Sequence, residues 1–300
     1  MEHVPVLLHE VIEGLDVQHG AHVVDGTAGG GGHSRALCER IGSTGVLLAI
    51  DRDAEAVERT KHRLAGVECK TIVALGNYRD MEQIAQDEGI ESADAILLDI
   101  GMSSHQLDVS GRGFTFQKDE PLKMTMETDA ELTAAKIVNH WAESDLCEIF
   151  KEFGEEAAAR QIAAGIAQAR KVSPIMTTSE LTEVISKSIP GWRKRSKANP
   201  ATKVFQALRI VVNDELGALR DGLTGGWELL ACDGRFAVIS FHSLEDRIVK
   251  QLFAEKVKEG AGKFVSKKPL VPGDEEVAEN PRSRSAKLRI IQKVHAGNSI

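Results

Sequence analysis

No stretch of this 300-residue chain approaches the roughly 20 consecutive apolar residues of a membrane-spanning helix. The opening, Met1-Glu2-His3-Val4-Pro5, has no basic start followed by an apolar segment, so no secretory signal is expected. Cysteine is sparse: Cys38, Cys69, Cys147 and Cys232 form no C-x-x-C and no short Cys/His pair. That spacing excludes a zinc ribbon or a disulfide framework as the first reading. It predicts buried thiols in a reducing cytoplasm. Aromatic residues make up 4% of the chain, so the core has to be aliphatic. An excess of positive charge is also missing. The formal net charge of −8 argues against indiscriminate nucleic-acid binding and leaves only local basic patches. There is no internal repeat and no low-complexity tract.

What the chain does have is glycine in one place. The run His22-Val23-Val24-Asp25 is followed by Gly26-Thr27-Ala28-Gly29-Gly30-Gly31-Gly32-His33. Glycine tolerates positive φ and lets a backbone approach a ligand closely. Ser34 to Arg40 reads as a helix, so the loop joins a strand to a helix N-terminus. That is where the first turn of a doubly wound sheet binds a nucleotide-like ligand. The dinucleotide spacing G-x-G-x-x-G fails, because Ala28 and Ser34 fall where glycines are needed. An acid followed by spaced glycines suits a ligand with an amino-acid end and no pyrophosphate. Asp25 is then expected to meet an ammonium, directly or through water.

Two more apolar runs end in acids: Val46–Ile50 in Asp51, and Ala95–Leu98 in Asp99. Asp51 is placed to hold ribose hydroxyls, with Asp53 capping the helix that follows. Three strands ending in Asp25, Asp51 and Asp99 put three carboxylates at one edge of a parallel sheet.

Strands at 22–25, 46–51, 71–75 and 94–99 alternate with helices from 33, at 54–64 and near 79–87. This is the first half of an α/β, Rossmann-like sheet. From 107 to 200 only helices are expected, at 131–141, 144–153, 155–170 and 179–188. One long helix then starts at Asn199-Pro200, with Val204, Leu208, Val211, Val212, Glu215 and Leu219 along one face. A strand returns at 235–241 after the turn Cys232-Asp233-Gly234. Lys263–Lys268 and Lys287–Lys293 are expected to pair as antiparallel edge strands. The domain plan is a sheet domain from 1–106 and 201–300, interrupted by a helical insert at 107–200.

The basic patches are the loop Arg193-Lys194-Arg195-Ser196-Lys197 and the scattered cations from Lys263 to Arg289. The loop, next to Trp192, suits phosphate contacts and stacking on a base. Candidate chemistry sits after Asp99 and after the late strand, at Phe241-His242-Ser243-Leu244-Glu245-Asp246. His242 as a base competes there with a helix start in which Ser243 caps and Asp246 is the third residue.

These strings together resemble the ribosomal RNA small-subunit methyltransferase H family. The likeness spans nearly the whole chain. It runs through His3–Leu8 with Glu10, Asp25-Gly26-Thr27, Gly31–Ser34, Leu48–Asp53 and Leu97–Gly101. It continues through Ser103-Ser104, Gln106–Asp108, Arg112–Phe114, Pro200–Thr202, Phe205–Ile210, Ser240–Arg247 and Asn280–Arg282. The Ser240–Arg247 string is the most specific. The resemblance implies a Rossmann-like methyltransferase sheet with an inserted helical, substrate-recognising domain. It implies S-adenosylmethionine as cofactor, held by Gly31, Gly32, His33, Asp51, Tyr78, Asp99 and Gln106. It further implies methylation of N4 of one cytidine at the decoding site of 16S ribosomal RNA, in the small ribosomal subunit. The reaction requires no metal and no membrane, and an oligomer is compatible with it. Tyr78 stands where the family commonly has Phe, which keeps an aromatic wall for adenine. His105 replaces a usual Pro, and Lys123 and Thr125 replace a usual Asp and Arg. Asp99 is expected to hold the cofactor rather than the amine, with His242 and Ser240 orienting the base. A nicotinamide-dependent dehydrogenase is disfavoured by the glycine spacing. A non-catalytic RNA-holding assembly factor is the alternative of another class.

Overall fold

A computed structural model describes residues 5–295, apart from 103, 128–129 and 195–198. It forms two compact units, residues 1–101 with 216–300 and residues 102–215.

The first unit is built on a seven-stranded sheet of order β3-β2-β1-β4-β5-β7-β6. Helix α1 (Leu8–Leu15) precedes β1 (His22–Asp25) and was not legible in the sequence. Then follow α2 (Gly32–Ile41), β2 (Val46–Asp51), α3 (Ala54–Arg63), β3 (Lys70–Leu75), α4 (Met81–Asp87) and β4 (Ala93–Asp99). The strands β3, β2, β1, β4 and β5 run parallel. Their centres are continuous apolar runs because helices cover both faces of a parallel sheet. Leu47, Leu48, Ala49 and Ile50 are all fully buried, as are Ile96, Leu97 and Leu98. Asp53 caps α3 by accepting the Glu55 N–H at 3.1 Å, as its position predicts.

The second unit is helical: α5 (Ser104–Asp108), α6 (Ala134–His140), α7 (Glu143–Glu152), α8 (Ala159–Ala169), α9 (Thr178–Ser188), α10 (Gly191–Lys194) and α11 (Pro200–Asn213). The one pairing of extended backbone among its described residues is an isolated bridge between Pro121 and Thr177. Thr177 and Glu180 form a reciprocal capping box at the start of α9. The boundary differs from the expected one. Helix α11 belongs to this unit because Ala201, Val204, Ala207 and Leu208 are buried among the apolar residues of α6 to α9. Burying a Val or Leu side chain is worth about 1.5–3 kcal/mol, so this face fixes where the helix goes.

The long helix expected from 200 onward is two helices. Asp214 adopts a left-handed conformation (φ 46°) and ends α11, and a separate helix, α12 (Glu215–Leu229), follows. Glu215, expected on an apolar face, instead accepts a forked ion pair from Arg209 at 2.8 and 3.0 Å.

Back in the first unit, β5 (Leu230–Ser240) pairs in parallel with β4, with an irregularity between Ala93 and Ala95. Helix α13 (Ser243–Lys258), β6 (Gly262–Phe264), α14 (Asp274–Glu279) and β7 (Lys287–Lys293) complete it. β7 is antiparallel to both β5 and β6, so the expected edge pairing is present in a shorter form. The Lys293 ammonium donates to the carbonyls of Trp227 and Leu230, each at 2.8 Å, closing the C-terminal end of α12.

The cysteines depart from expectation. Cys38 on α2 and Cys69 before β3 are joined as a disulfide across 31 residues. Cys147 is half-buried and Cys232 is exposed. Sequence spacing could not pair Cys38 with Cys69, because the fold brings α2 beside the start of β3. No helix among the described residues is long and apolar enough to cross a membrane.

Candidate active site

The order β2-β1-β4 makes Asp51, Asp25 and Asp99 the carboxyl-end residues of three neighbouring parallel strands. Ligands of open α/β sheets bind outside this edge. The glycine loop leaves β1 there. The Gly26 N–H donates to the Leu97 carbonyl and the Ala28 N–H to the Ile50 carbonyl, both at 2.9 Å, so the loop is tied to both flanking strands. Gly29 and Gly31 take positive φ, 56° and 72°. A Cβ on Gly31 would sit 3.3 Å from the Thr60 backbone, whereas a Cβ on Gly30 would meet nothing within 4 Å. The loop is therefore fixed on one side and open on the other.

The three acids have different roles. Asp51 accepts the Gly29 N–H at 2.8 Å on one oxygen and the Asp53 N–H at 2.9 Å on the other. It shapes the loop, and each oxygen keeps a second lone pair for a ligand. Asp25 is 1% exposed. It accepts from the Thr27 N–H at 3.1 Å and from the Ser34 hydroxyl at 2.6 Å. Burial holds its carboxyl above the ordinary carboxylate range. Asp25 thus faces inward and supports the loop, which corrects the ammonium-binding expectation for it.

Asp99 is the acid left incomplete. Its N–H donates to the Thr27 hydroxyl at 2.6 Å. Its Oδ1 is buried without a hydrogen-bond partner among the described residues. Burial, reinforced by the nearby charge of Glu245, pushes its carboxyl up to about 7, against a backbone hydrogen bond from Gly101. His33, 7% exposed, places Nδ1 3.7 Å from Asp99 Oδ2 and Nε2 3.0 Å from the Val6 carbonyl. That carbonyl can only accept, so Nε2 carries the hydrogen and Nδ1 presents a lone pair toward Asp99. Burial lowers the His33 pKa, so His33 does not supply the missing positive charge. Gly32 lies at the start of α2, where a Cβ would strike Pro5.

Tyr78 is placed in a 3-10 turn after β3 and is 8% exposed. A Cβ on Gly222 of α12 would come within 2.6 Å of its ring. The ring is mostly part of the core. Gln106 is buried in α5, in the other unit, where its carbonyl accepts the Ser110 hydroxyl at 2.7 Å. His105 lies in the same helix. Lys123 and Thr125 flank Met124 (φ 58°), whose carbonyl accepts from the Asn213 side chain at 2.8 Å.

The expected acceptor-side residues change role. Ser240 is 2% exposed at the end of β5, its hydroxyl 3.5 Å from the Lys287 carbonyl in the neighbouring strand. His242, not Ser243, is the N-cap of α13, and Glu245 is the third residue of the box in place of Asp246. Its Nδ1 accepts the Glu245 N–H at 3.3 Å, and its Nε2 is 2.9 Å from Glu245 Oε1. Glu245 returns the bond, accepting the Phe241 and His242 N–H groups at 2.7 and 3.1 Å. Nδ1 is committed to the cap, while Nε2 lies against the Glu245 carboxylate without a hydrogen-bond partner among the described residues, so the role the geometry shows for the ring is that of a cap. Asp246 instead pairs with Arg289 at 2.7 Å and Lys287 at 3.1 Å. The signal missed in sequence was the H-x-x-E spacing, because histidine is an unusual cap.

Of the basic loop, Arg193 is 5% exposed and forms a forked pair with Glu156 at 2.8 and 2.7 Å. It is an internal strut rather than a phosphate contact, since a guanidinium in a buried fork cannot also face RNA. Lys194 ends α10, and Arg195 and Lys197 lie outside the described residues.

The family model described as the MraW methylase family matches residues 1–294. Ribosomal RNA small subunit methyltransferase H of Syntrophotalea carbinolica is 45% identical over 309 aligned residues, covering 98% of each chain. Among solved structures, an rRNA methylase from Streptococcus thermophilus matches 98% of this chain and 100% of its own, with 10% identity and TM-score 0.46. A SAM-dependent O-methyltransferase from Thermotoga maritima matches 98% of this chain and 68% of its own, with 12% identity and TM-score 0.44. The family match over nearly all of the sequence means that this chain belongs to the MraW methylase family.

Proposed function

We propose that the chain transfers a methyl group from S-adenosylmethionine to N4 of one cytidine in 16S ribosomal RNA, at the decoding site of the small ribosomal subunit. The observation that carries the substrate is the 45% identity, over 98% of both chains, to a relative named for methylating small-subunit ribosomal RNA. The cofactor is supported by the site itself. A half-buried carboxylate with an unpartnered oxygen, and with no cation beside it among the described residues, favours a positively charged ligand. The open side of Gly30 admits a ligand against the backbone, and Asp51 has lone pairs left for a ribose diol.

When bound, the sulfonium supplies an activated methyl group and a neutral leaving thioether. The chain's own residues do the rest. Gly29 to Gly32 and Asp51 hold the ligand, and Asp25, Thr27 and Ser34 keep the loop in place. Asp99 holds the cationic end, and its pKa near neutrality also suits it to accept a hydrogen bond from the cytosine amine. That amine is a poor nucleophile, because its lone pair is delocalised into the ring, and it has to shed a proton. In-line placement therefore supplies much of the rate. A cytidine in structured RNA is unstacked to reach such a site. His242 acts by fixing the start of α13 beside the Asp99 edge, and Ser240 by anchoring β5 to β7. The helical unit is assigned to RNA recognition.

The test is mass spectrometry of 16S ribosomal RNA nucleosides from a host lacking this gene and from the same host complemented. N4-methylated cytidine is expected to disappear on deletion, to return with the wild-type gene and to stay absent with Asp99→Ala. An unchanged nucleoside profile on deletion overturns the reading. Loss of small-subunit maturation without loss of the methyl group would instead favour an assembly factor.

A further inference from the structure

The carboxyl edge of the sheet accounts for the proposed reaction, but the opposite end of the same strands holds a second cluster. Cys232 and Asp233 lie near the start of β5, and His295 follows the end of β7. β7 is antiparallel to β5, with Gln292 opposite Arg235, so the end of one strand lies beside the start of the other. The fold thereby brings together residues 63 positions apart, which sequence spacing could not reveal. The thiol of Cys232, a carboxylate oxygen of Asp233 and a ring nitrogen of His295 all lie within 4.8 Å of one another.

We propose that Cys232, Asp233 and His295 form a site for a divalent transition metal of the zinc class. A thiolate and an imidazole select such ions over magnesium or calcium, which prefer all-oxygen sets. Bond lengths of about 2.0–2.3 Å around a tetrahedral ion put donor atoms about 3.5 Å apart. Closing from the observed spacing needs a shift of about 1 Å, within reach of small side-chain rotations at a surface. The backbone beneath is already held. Asp233 sits in a left-handed conformation (φ 65°), and its carbonyl accepts the Gln292 side-chain amide at 3.1 Å. The Val294 N–H donates to the Ala261 carbonyl at 2.8 Å, which fixes the chain next to His295.

Cys232 and Asp233 also line a cavity of about 430 Å³ with Arg235, Asp94 and His19. Those neighbours are engaged elsewhere. Arg235 pairs with Asp16 at 3.0 Å, Asp94 accepts the His22 N–H at 2.8 Å, and His19 meets the Thr44 hydroxyl at 3.2 Å. Three protein ligands leave the fourth tetrahedral position to water from this cavity. Cys232 gives up its thiol proton to solvent on binding. The site joins the end of the last strand to the start of β5 and takes no part in methyl transfer.

Cobalt(II) titration of the full-length protein tests this, read by the thiolate-to-cobalt charge-transfer absorption. One equivalent per chain is expected, displaced by zinc(II). Cys232→Ser and His295→Ala are expected to abolish the band, and Cys147→Ser to leave it intact. Asp233→Asn keeps the left-handed backbone accessible and is expected to weaken binding at least tenfold without abolishing it. Absence of the band in the wild-type protein overturns the proposal, as does an undiminished band in Cys232→Ser. The readout needs neither cofactor nor RNA, so it stands apart from the test of methylation.

Discussion

Replacing Asp99 with Asn removes a charge while keeping the side chain's size. Its carboxyl moves from the ordinary 3.8 to about 7, about three pH units. At about 1.4 kcal/mol per unit the ceiling is about 4 kcal/mol. The side chain is 20% exposed, so water offsets part of this and about 2–4 kcal/mol is expected. The direction follows from proton binding. Between about pH 4 and 7 the native state holds the Asp99 proton while the unfolded chain has released it. Stability therefore falls as pH rises through that window, and the full cost is present above it. Asp99→Asn carries no such cost. It is expected to be more stable than wild type by about 2–4 kcal/mol near pH 8, and within about 1 kcal/mol of it near pH 4. Denaturant unfolding followed by the fluorescence of Trp227, in a Trp141→Phe, Trp192→Phe background, reads the sheet unit alone. A stability difference that is flat across pH refutes the reasoning, because Asp99 would then be an ordinary solvated acid.

The same carboxylate governs the ligand. Below about pH 7, S-adenosylmethionine has to displace the Asp99 proton. Calorimetric affinity is expected to rise up to about tenfold per pH unit and level off above pH 7, with no such slope in Asp99→Asn. Gly31→Ala is expected to cost about 1–2 kcal/mol in thermal unfolding, because its φ is 72°. Gly30→Ala should leave stability unchanged and weaken cofactor binding, since only a ligand would meet its methyl group. His242→Ala should cost about 1 kcal/mol and slow methylation while cofactor affinity survives; His242→Asn, a good cap without a base, should restore both stability and rate. A slow but stable His242→Asn enzyme would return His242 to the catalytic list. Arg193→Met should cost about 3–5 kcal/mol by stranding the buried Glu156, measured as unfolding of the helical unit.

The strands and the edge they share were readable because each parallel strand is a short apolar run closed by an acid. Asp25, Asp51 and Asp99 stood at those ends in the sequence and stand there in the structure. Their separate roles were not readable. Whether an acid faces inward, as Asp25 does, or is left with an unpartnered oxygen, as Asp99 is, depends on how the loop turns Thr27 and Ser34 onto it and on Glu245, which comes from a distant part of the chain. The helical insert was visible from the loss of strand signals at 107. Its far border was not, because the apolar face of α11 fits either neighbour by pattern, and packing alone sends it to α6–α9. The break at Asp214 leaves no sequence mark comparable to a proline. Arg193 looked like a surface cation because its partner, Glu156, is 37 positions away.

The pairing of β4 with β5 also has a cost in time. Asp99 ends one strand, and Leu230 begins its neighbour only about 130 residues later. At about 5–20 residues per second, a ribosome takes roughly seven to twenty-six seconds to deliver the second strand. Through that interval the Ile96-Leu97-Leu98 edge has no partner on its outer side, and the helical segment is synthesised in full while it waits. The nascent chain must keep a sticky half-sheet from pairing with another chain until β5 arrives. A protein that modifies ribosomal RNA would thus depend, for its own assembly, on how quickly a ribosome moves through its middle third.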